Sequence, residues 1–204
     1  MIEKTARVFI IDDDPSVRKS ISFLLRSAGY SVESFNSAEE FLDLENFNRQ
    51  GCILLDIFME GRSGLELQEE IARKFGNLPI IYISGQGDID MSVKALRKGA
   101  LNFLQKPIDE QTLIPAIDEA LSISSQTFNN QNEKKHLQAL VNSLTSREYQ
   151  VFTHLVTGKL NKQIAAELNI TEHTVKLHRG KITEKLGVKS VAELVHIAEK
   201  MDIR

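Results

Sequence analysis

The chain contains 204 residues, of which 42% are hydrophobic and 26% are charged. This composition is ordinary for a folded globular protein and excludes collagen-like and wholly disordered chains. No apolar stretch approaches the roughly 20 residues of a membrane-spanning helix, and the N-terminus lacks the pattern of a signal peptide. We therefore expect a cytoplasmic protein with no membrane partner. Cys52 is the single cysteine and lies in an apolar run, which predicts a buried, inert thiol.

The net charge of −3 conceals an asymmetry along the chain. Residues 1–121 contain 13 basic and 20 acidic residues, whereas residues 122–204 contain 12 basic and 8 acidic residues. The length fits two small domains, and the charge difference indicates that they bind different partners. We predict a first domain over 1–121, a linker over 122–142 and a second domain over 143–204 that is suited to nucleic acid.

The first domain alternates strand and helix patterns. Short apolar runs predict strands that are buried on both faces, as in a parallel sheet. Ser37 with Glu40, and Ser63 with Glu66, match capping boxes at the starts of helices. Five strands that alternate with five helices predict a doubly wound α/β fold. The predicted strands are 7–11, 31–35, 51–55, 79–83 and 101–104, and the predicted helices cover about 17–28, 38–46, 64–74, 88–98 and 109–121.

The composition changes after Leu121, where a polar run contains neither Gly nor Pro. A helix and a flexible coil both remain open for this linker. The second domain has only helical patterns, and Thr145 with Glu148 matches a capping box. A tight turn at 169–171 joins two of its predicted helices, which is the helix-turn-helix arrangement. The sequence therefore predicts a small all-α domain of four helices.

Chemically reactive side chains occur where the strands of the first domain end. Asp12 and Asp13 follow the first strand, Asp56 follows the third, Ser84 follows the fourth and Lys106 follows the fifth. The carboxyl ends of parallel strands meet at one edge of the sheet, so these side chains should converge. Carboxylates placed together repel one another unless a cation joins them, and their oxygens suit Mg²⁺. The sequence predicts a site for Mg²⁺, or for Mn²⁺, at this edge.

The first domain resembles the receiver domain of two-component response regulators over about residues 6–121. The matching stretches are VFIIDDDPSVRKS, LLDIFMEGRSGLE, IIYISGQGDIDMSVKALRKGA and FLQKP. The resemblance implies a flavodoxin-like fold in which Asp56 accepts a phosphoryl group from a sensor histidine kinase. It also implies that the metal ligands are Asp12, Asp13, Asp56 and the backbone carbonyl of Phe58.

Three further positions take their expected roles from the same resemblance. Lys106 pairs with the phosphoryl oxygens, Ser84 is the switch hydroxyl in place of the commoner Thr, and Phe103 is the switch aromatic. The family usually has a cis peptide bond here, so we expect one between Lys106 and Pro107. The family often has Met-Pro before its Gly, whereas this chain has Met59-Glu60-Gly61, which removes no chemical group.

The second domain resembles the LuxR-type DNA-binding domain over about residues 144–195. The match runs through LTSREYQVFTHLVTGKLNKQIAAELNITEHTVKLHRGKITEKLGVKSVAELV. A receiver joined to this domain is the arrangement of the NarL/FixJ class of transcription regulators. The patterns FxxKP, GxGDI and LTxRE favour the FixJ subgroup. The resemblance implies binding to double-stranded DNA, with RNA polymerase as a further candidate partner.

A helical wheel separates two faces of the second helix of the helix-turn-helix unit. Val175, Ile182 and Leu186 should pack inwards, and the opposite strip can enter a major groove. Lys176 is the best candidate for a guanine or phosphate contact, and Leu177 suits a thymine methyl group. The strip consists of His173, Lys176, Leu177, Gly180 and Glu184, and the flanking candidates for phosphate contacts are Lys162, Thr174, Lys181 and Lys185.

We expect a homodimer to form on phosphorylation and to bind a two-part DNA site, because one recognition helix covers few base pairs. The segment 88–104 is the expected phosphorylation-dependent contact, by family resemblance. We do not expect an enzyme with a separate substrate, although slow autodephosphorylation is expected. Phe58 should border the approach of the attacking water and slow this hydrolysis more strongly than Gln86.

Two alternative functions remain open from the residues alone. Residues 12–16 loosely fit the D-x-D-x-Ser/Thr loop of haloacid-dehalogenase-like phosphatases, but this interpretation leaves Asp56 and Lys106 without a role. The other alternative is a DNA-binding protein whose receiver is not phosphorylated, which the complete set of acidic residues disfavours.

Overall fold

The structure is a computed structural model, and it divides into two compact units, Met1–Phe128 and Asn129–Arg204. Each unit has its own hydrophobic core. Ser63, which was predicted to cap a helix, and Gln86, which was predicted to border the acidic site, lie outside the described residues. The described residues are 6–45, 50–59, 64–76, 78–85 and 89–203.

A parallel sheet forms the centre of the first unit. Its strand order, β2-β1-β3-β4-β5, is that of a doubly wound, flavodoxin-like fold and confirms the predicted fold class. The ends of each strand lie within one residue of their predicted positions. Within the described residues the strands are β1 (Arg7–Ile11), β2 (Ser31–Phe35), β3 (Gly51–Asp56), β4 (Ile80–Ser84) and β5 (Asn102–Gln105).

Helices cover both faces of this sheet. Asp14 caps the first helix, because its Oδ1 accepts from the backbone N–H of Ser16 at 2.8 Å and Pro15 occupies the first helical position. Ser37 caps the second helix through the backbone N–H of Glu40. That helix ends at Leu42, earlier than predicted. Among the residues that the structure describes, the helices of this unit are α1 (Pro15–Ser27), α2 (Ala38–Leu42), α3 (Gly64–Phe75), α4 (Ile89–Arg97) and α5 (Glu110–Asn142).

Two apolar clusters, one on each face, hold the sheet in place. The cluster on one face joins the strands to α2, α3 and α4, with Phe41, Leu67 and Ala95 among its buried members. The cluster on the other face joins the strands to α1 and α5, with Leu25 and Ile117 among its buried members. β1, β3 and β4 are buried on both faces of the sheet, and this explains why their sequences are almost continuously apolar.

α5 continues without a break through the predicted linker to Asn142. Its residue Ser124 is only 3% exposed, and the hydroxyl accepts from the backbone N–H of Gly51 at 2.9 Å. Val141, near the other end, belongs to the core of the second unit. Residues 122–128 of the predicted linker therefore belong to the first unit, and residues 129–142 belong to the second unit.

Every regular element among the described residues of the second unit is a helix. Thr145 and Glu148 form the predicted capping box, and Asn169 takes the left-handed conformation (φ 52°) that the turn between two helices requires. No described helix of either unit combines the length and apolarity needed to span a membrane. After α5, the helices are α6 (Ser146–Val156), α7 (Asn161–Leu168), α8 (Glu172–Leu186) and α9 (Val191–Lys200).

Candidate functional site

The strand register places two carboxylates side by side at the carboxyl edge of the sheet. Ile11 pairs with Leu55, so the following residues, Asp12 and Asp56, lie at the same level of β1 and β3. Both are buried, with exposures of 0% and 5%, and Asp13 is more exposed. One carboxylate oxygen of each of the three residues lies within 4.8 Å of the others. The predicted convergence of these acidic residues is confirmed.

Lys106 lies between the two buried carboxylates. Its Nζ is 2.7 Å from Asp12 Oδ2 and 2.7 Å from Asp56 Oδ2. The peptide bond to Pro107 is cis, as expected. The backbone N–H of Lys106 donates to the carbonyl of Ser84 at 2.7 Å, which fixes the start of this turn. The ammonium offsets part of the repulsion among the carboxylates.

Burial and ion pairing act in opposite directions on the protonation of these groups. Burial raises the pKa of Asp12 above its ordinary value, and the hydrogen bond from Lys106 only partly opposes this. Burial alone would lower the pKa of Lys106, but hydrogen bonds to Asp12 and Asp56 outweigh it and leave that pKa raised. Lys106 is therefore a stable positive charge at neutral pH.

The third aspartate of the Asp12–Asp14 run has a structural role. Asp14 caps α1, and its own backbone N–H donates to Asp12 Oδ1 at 2.9 Å. Arg18, one turn into the helix, donates from Nη1 to the backbone carbonyl of Asp12 at 2.5 Å. Sequence reasoning missed this arginine, because its spacing from Asp12 gains meaning only once the cap fixes the start of the helix.

The residues at this edge fit a divalent cation. Three carboxylates offer hard oxygen atoms within a small volume, which is the donor set that Mg²⁺ and Mn²⁺ prefer. The backbone N–H of Phe58 donates to Asp56 Oδ1 at 3.2 Å, so the peptide that carries the predicted carbonyl ligand follows Asp56 closely. The Phe58 side chain is 48% exposed.

Ser84 and Phe103 occupy neighbouring strands beside the acidic residues. Asp56 pairs with Ile83, so Ser84 lies one residue beyond the level of Asp56, and its side chain is buried. Phe103 lies on β5 and packs, partly buried, against the core that includes α3 and α4. The structure therefore brings Ser84 to the acidic edge and places Phe103 lower in the sheet.

In the second unit, α8 has the two faces that the helical wheel predicted. Val175, Ile182 and Leu186 are buried in the core. The opposite strip is exposed along its whole length. Its members are His173, Lys176, Leu177, Gly180 and Glu184.

The flanking candidates for phosphate contacts differ in whether their side chains are free to reach DNA. Lys162 and Lys181 are exposed, and the Thr174 hydroxyl lies 2.8 Å from that of Thr171 at the start of α8. Lys185 is the exception, since its Nζ lies 2.6 Å from Glu148 Oε2 and donates to the carbonyl of Ser143. Its ammonium is thus engaged within the unit, which the helical wheel did not predict.

The two units match two protein families. The model of the response regulator receiver domain matches residues 8–118, which is more than half of the chain. The model of the bacterial regulatory proteins of the luxR family matches residues 142–198. The chain belongs to the response regulators. Its second part is a LuxR-type helix-turn-helix domain. A receiver domain followed by a DNA-binding domain is the domain arrangement of a transcription regulator.

Full-length relatives support the same assignment. The response regulator is 43% identical over 190 residues to the transcriptional regulatory protein TdiR of Thauera aromatica, which covers 93% of this chain and 83% of TdiR. The structure of response regulator StyR is 45% identical, with a TM-score of 0.86 over 96% of this chain and 98% of StyR. Full-length FixJ from B. japonicum is 33% identical, with a TM-score of 0.57 over 98% of each chain.

These matches favour the response regulator over the phosphatase that the residues alone left open. They place the chain among regulators of two-component systems, whereas the phosphatase interpretation has only the loose fit of residues 12–16. The similarity to FixJ confirms the subgroup that the sequence patterns favoured.

Proposed function

We propose that Asp56 is the phosphoacceptor of this response regulator and that a sensor histidine kinase is the donor. The observation that carries this proposal is the position of Asp56 at the end of a central strand, bonded to Lys106 and clustered with Asp12 and Asp13. Asp12 holds the same lysine, but it is fully buried, whereas Asp56 keeps a small exposed area through which a phosphoryl group can enter.

The groups of the pocket match the needs of phosphoryl transfer. A carboxylate oxygen of Asp56 attacks the phosphorus, the bond to the kinase histidine nitrogen breaks, and the electron pair remains on that imidazole. Lys106 lies beside Asp56, where its ammonium can pair with the phosphoryl oxygens, which carry the charge of the transition state. A bound Mg²⁺ or Mn²⁺, held by Asp12, Asp13, Asp56 and the Phe58 carbonyl, supplies further charge neutralisation.

The phosphoryl group then acts through the switch residues and the dimer surface. Ser84 offers a hydroxyl beside Asp56, and Phe103 is the aromatic residue whose packing changes in response. Val93 and Leu96 on α4 are large exposed apolar side chains within the expected contact segment. Burial of such side chains between two copies favours a homodimer.

The output of the proposed dimer is regulated transcription. The exposed strip of α8 enters the major groove, with Lys176 and Leu177 as base contacts and Gly180 allowing close approach. Lys162, Thr174 and Lys181 contact phosphates, and Lys185 joins them only if it leaves Glu148. RNA polymerase is the proposed downstream partner, and a cytoplasmic location follows from the target DNA.

The phosphoacceptor assignment is tested by intact mass after incubation with acetyl phosphate and Mg²⁺. We expect the wild type to gain one phosphoryl group and Asp56→Asn to gain none. Asp14→Asn is the matched control, because asparagine also caps helices and the residue lies outside the proposed ligand set. Phosphorylation of Asp56→Asn to the wild-type extent would remove the assignment.

The switch is tested by DNA affinity with and without the phosphoryl donor. Footprinting on target DNA should show two half-sites about one helical turn apart. Sedimentation should show the dimer in the phosphorylated sample only. A single unrepeated half-site occupied by a monomer at saturation would contradict the proposed dimer.

A further inference from the structure

Tyr82 is a fully buried tyrosine close to the phosphorylation pocket. It lies on β4, two residues before Ser84. Its neighbours in the sheet are Leu55, which precedes Asp56, and Phe103, the proposed switch aromatic. Paired residues of parallel strands point to the same face, so Tyr82 lies between the strand that carries Asp56 and the strand that carries Phe103.

The Tyr82 hydroxyl has two acceptors and one proton. It lies 3.0 Å from the backbone carbonyl of Gly64 and 3.1 Å from Gln68 Oε1. Both acceptors belong to α3, and a phenol donates one hydrogen. Movement of one acceptor away from the hydroxyl therefore gives the other a stronger hydrogen bond.

Gly64 is in close contact with the backbone around Asp56. Its N–H donates to the carbonyl of Ile57 at 3.0 Å. A Cβ atom at this position would lie 2.5 Å from the backbone oxygen of Asp56, so only glycine fits here. A displacement of the backbone at Asp56 must therefore be transmitted to the first residue of α3.

Gln68 connects Tyr82 to the carboxyl end of α4. Its Nε2 donates to the backbone carbonyl of Lys98, immediately after α4, at 2.7 Å. A carbonyl needs a donor, so the amide nitrogen must face Lys98 and Oε1 must face Tyr82. The Lys98 carbonyl thereby sets the orientation of the Gln68 amide, and the Tyr82 hydroxyl donates to its Oε1.

We propose that Tyr82 and Gln68 are positioning residues that couple the backbone at Asp56 to the turn between α4 and β5. The inference rests on the proposed phosphorylation of Asp56. When the Gly64 carbonyl moves away from the phenol, the Tyr82 hydroxyl donates to Gln68 Oε1 alone. The hydrogen bond from Gln68 Nε2 to the Lys98 carbonyl then becomes stronger. When Gly64 moves closer, the hold on Lys98 weakens. This link passes beneath the sheet edge and uses neither the Ser84 hydroxyl nor the ring of Phe103.

The link is tested first without phosphorylation, by hydrogen exchange in the full-length protein. The backbone amides of residues 98–101 report on the turn, since each donates a hydrogen bond to a carbonyl of α4 or of β4. Loss of one hydrogen bond of about 1 kcal/mol should make their exchange about fivefold faster in Tyr82→Phe. Gln68→Met should show the same increase, and the double variant should show no further increase.

Tyr30→Phe is the matched control. This half-buried tyrosine also donates one hydrogen bond, to Asp118 Oδ1 at 2.7 Å, but it packs against the core on the opposite face of the sheet. We expect it to leave the exchange of residues 98–101 unchanged. Equal exchange in Tyr82→Phe and wild type overturns the inference, as does an equal acceleration in Tyr30→Phe.

The second measurement adds acetyl phosphate and Mg²⁺ and follows both intact mass and exchange. We expect wild type and Tyr82→Phe to gain a phosphoryl group to the same extent, and only the wild type to change its exchange at residues 98–101. An equal exchange response in both proteins overturns the coupling. If the wild type gains no phosphoryl group, the proposed function of Asp56 fails, while the first measurement still decides whether Tyr82 holds the turn.

Discussion

The ion pair between Glu148 and Lys185 allows a quantitative prediction about the DNA-binding unit. The Glu148 side chain is 4% exposed, and its Oε2 accepts from Lys185 Nζ at 2.6 Å and from the backbone N–H of Thr145 at 2.9 Å. These bonds connect α6 to the recognition helix. We consider the substitution Glu148→Gln, which keeps an acceptor for Thr145 and removes the charge.

The magnitude follows from the pKa of Glu148. The hydrogen bond from Lys185, and then that from Thr145, lower this pKa from 4.5 to about 2. A lowered folded-state pKa stabilises the fold above the unfolded value of 4.5, and this stabilisation is lost as the pH falls towards 2. The full shift corresponds to about 3 kcal/mol, and screening around the partly exposed Lys185 reduces our estimate to about 2 kcal/mol.

The assay is hydrogen exchange of the α6 and α8 amides in increasing urea, which reports on the second unit within the full-length protein. At pH 7, Glu148→Gln should lower the unfolding free energy by about 2 kcal/mol, and the difference from wild type should shrink below pH 4.5. Lys185→Met should cost more, about 3 kcal/mol, because it leaves a buried carboxylate unpaired.

Glu167→Gln is the control for this measurement. Glu167 also forms an ion pair, with Lys159, but its side chain is 45% exposed, so its loss should change little. The reasoning is refuted if Glu148→Gln and Glu167→Gln have equal effects, or if the effect of Glu148→Gln is the same at pH 7 and at pH 3.

Three further predictions concern separate parts of the molecule. Phe58→Asn should accelerate the loss of the phosphoryl group after donor removal by about tenfold, or about 1.4 kcal/mol of barrier, as followed by intact mass; unchanged decay excludes Phe58 as the gate. Lys176→Ala should weaken binding to target DNA by about 1–3 kcal/mol and leave random DNA unaffected; equal losses would instead indicate a phosphate contact. Ser124→Ala should lower the unfolding free energy of the first unit by about 1–2 kcal/mol in urea, since the buried N–H of Gly51 loses its acceptor. The exposed Ser122→Ala is its control, and equal urea midpoints for the two variants would contradict this role.

The sequence predicts well the features that depend on local signals and on topology. Asp14 before Pro15, and Thr145 with Glu148, are capping patterns that act over a few residues. The meeting of Asp12, Asp56 and Lys106 follows from the rule that parallel strands end at one edge, so it needs no knowledge of side-chain packing.

Contacts between distant side chains could not be predicted in this way. The helical wheel shows that Lys185 lies beside the inward face of α8, but it does not show that a buried carboxylate from α6 stands opposite. The sequence likewise indicates only an ordinary core residue of β4 at Tyr82, because the partners of its hydroxyl on α3 depend on how that helix packs. The end of α2 at Leu42 also differs from the apolar periodicity, which continues to about residue 46.

The burial of Ser124 has a consequence for exchanging output domains between regulators. A chimaera joined at residue 121 would take its Ser124 position from the foreign protein, and a larger or apolar residue there would face the N–H of Gly51. A junction after Phe128 keeps the serine with its own sheet. Receiver modules cut at the later position should therefore tolerate a wider range of attached domains.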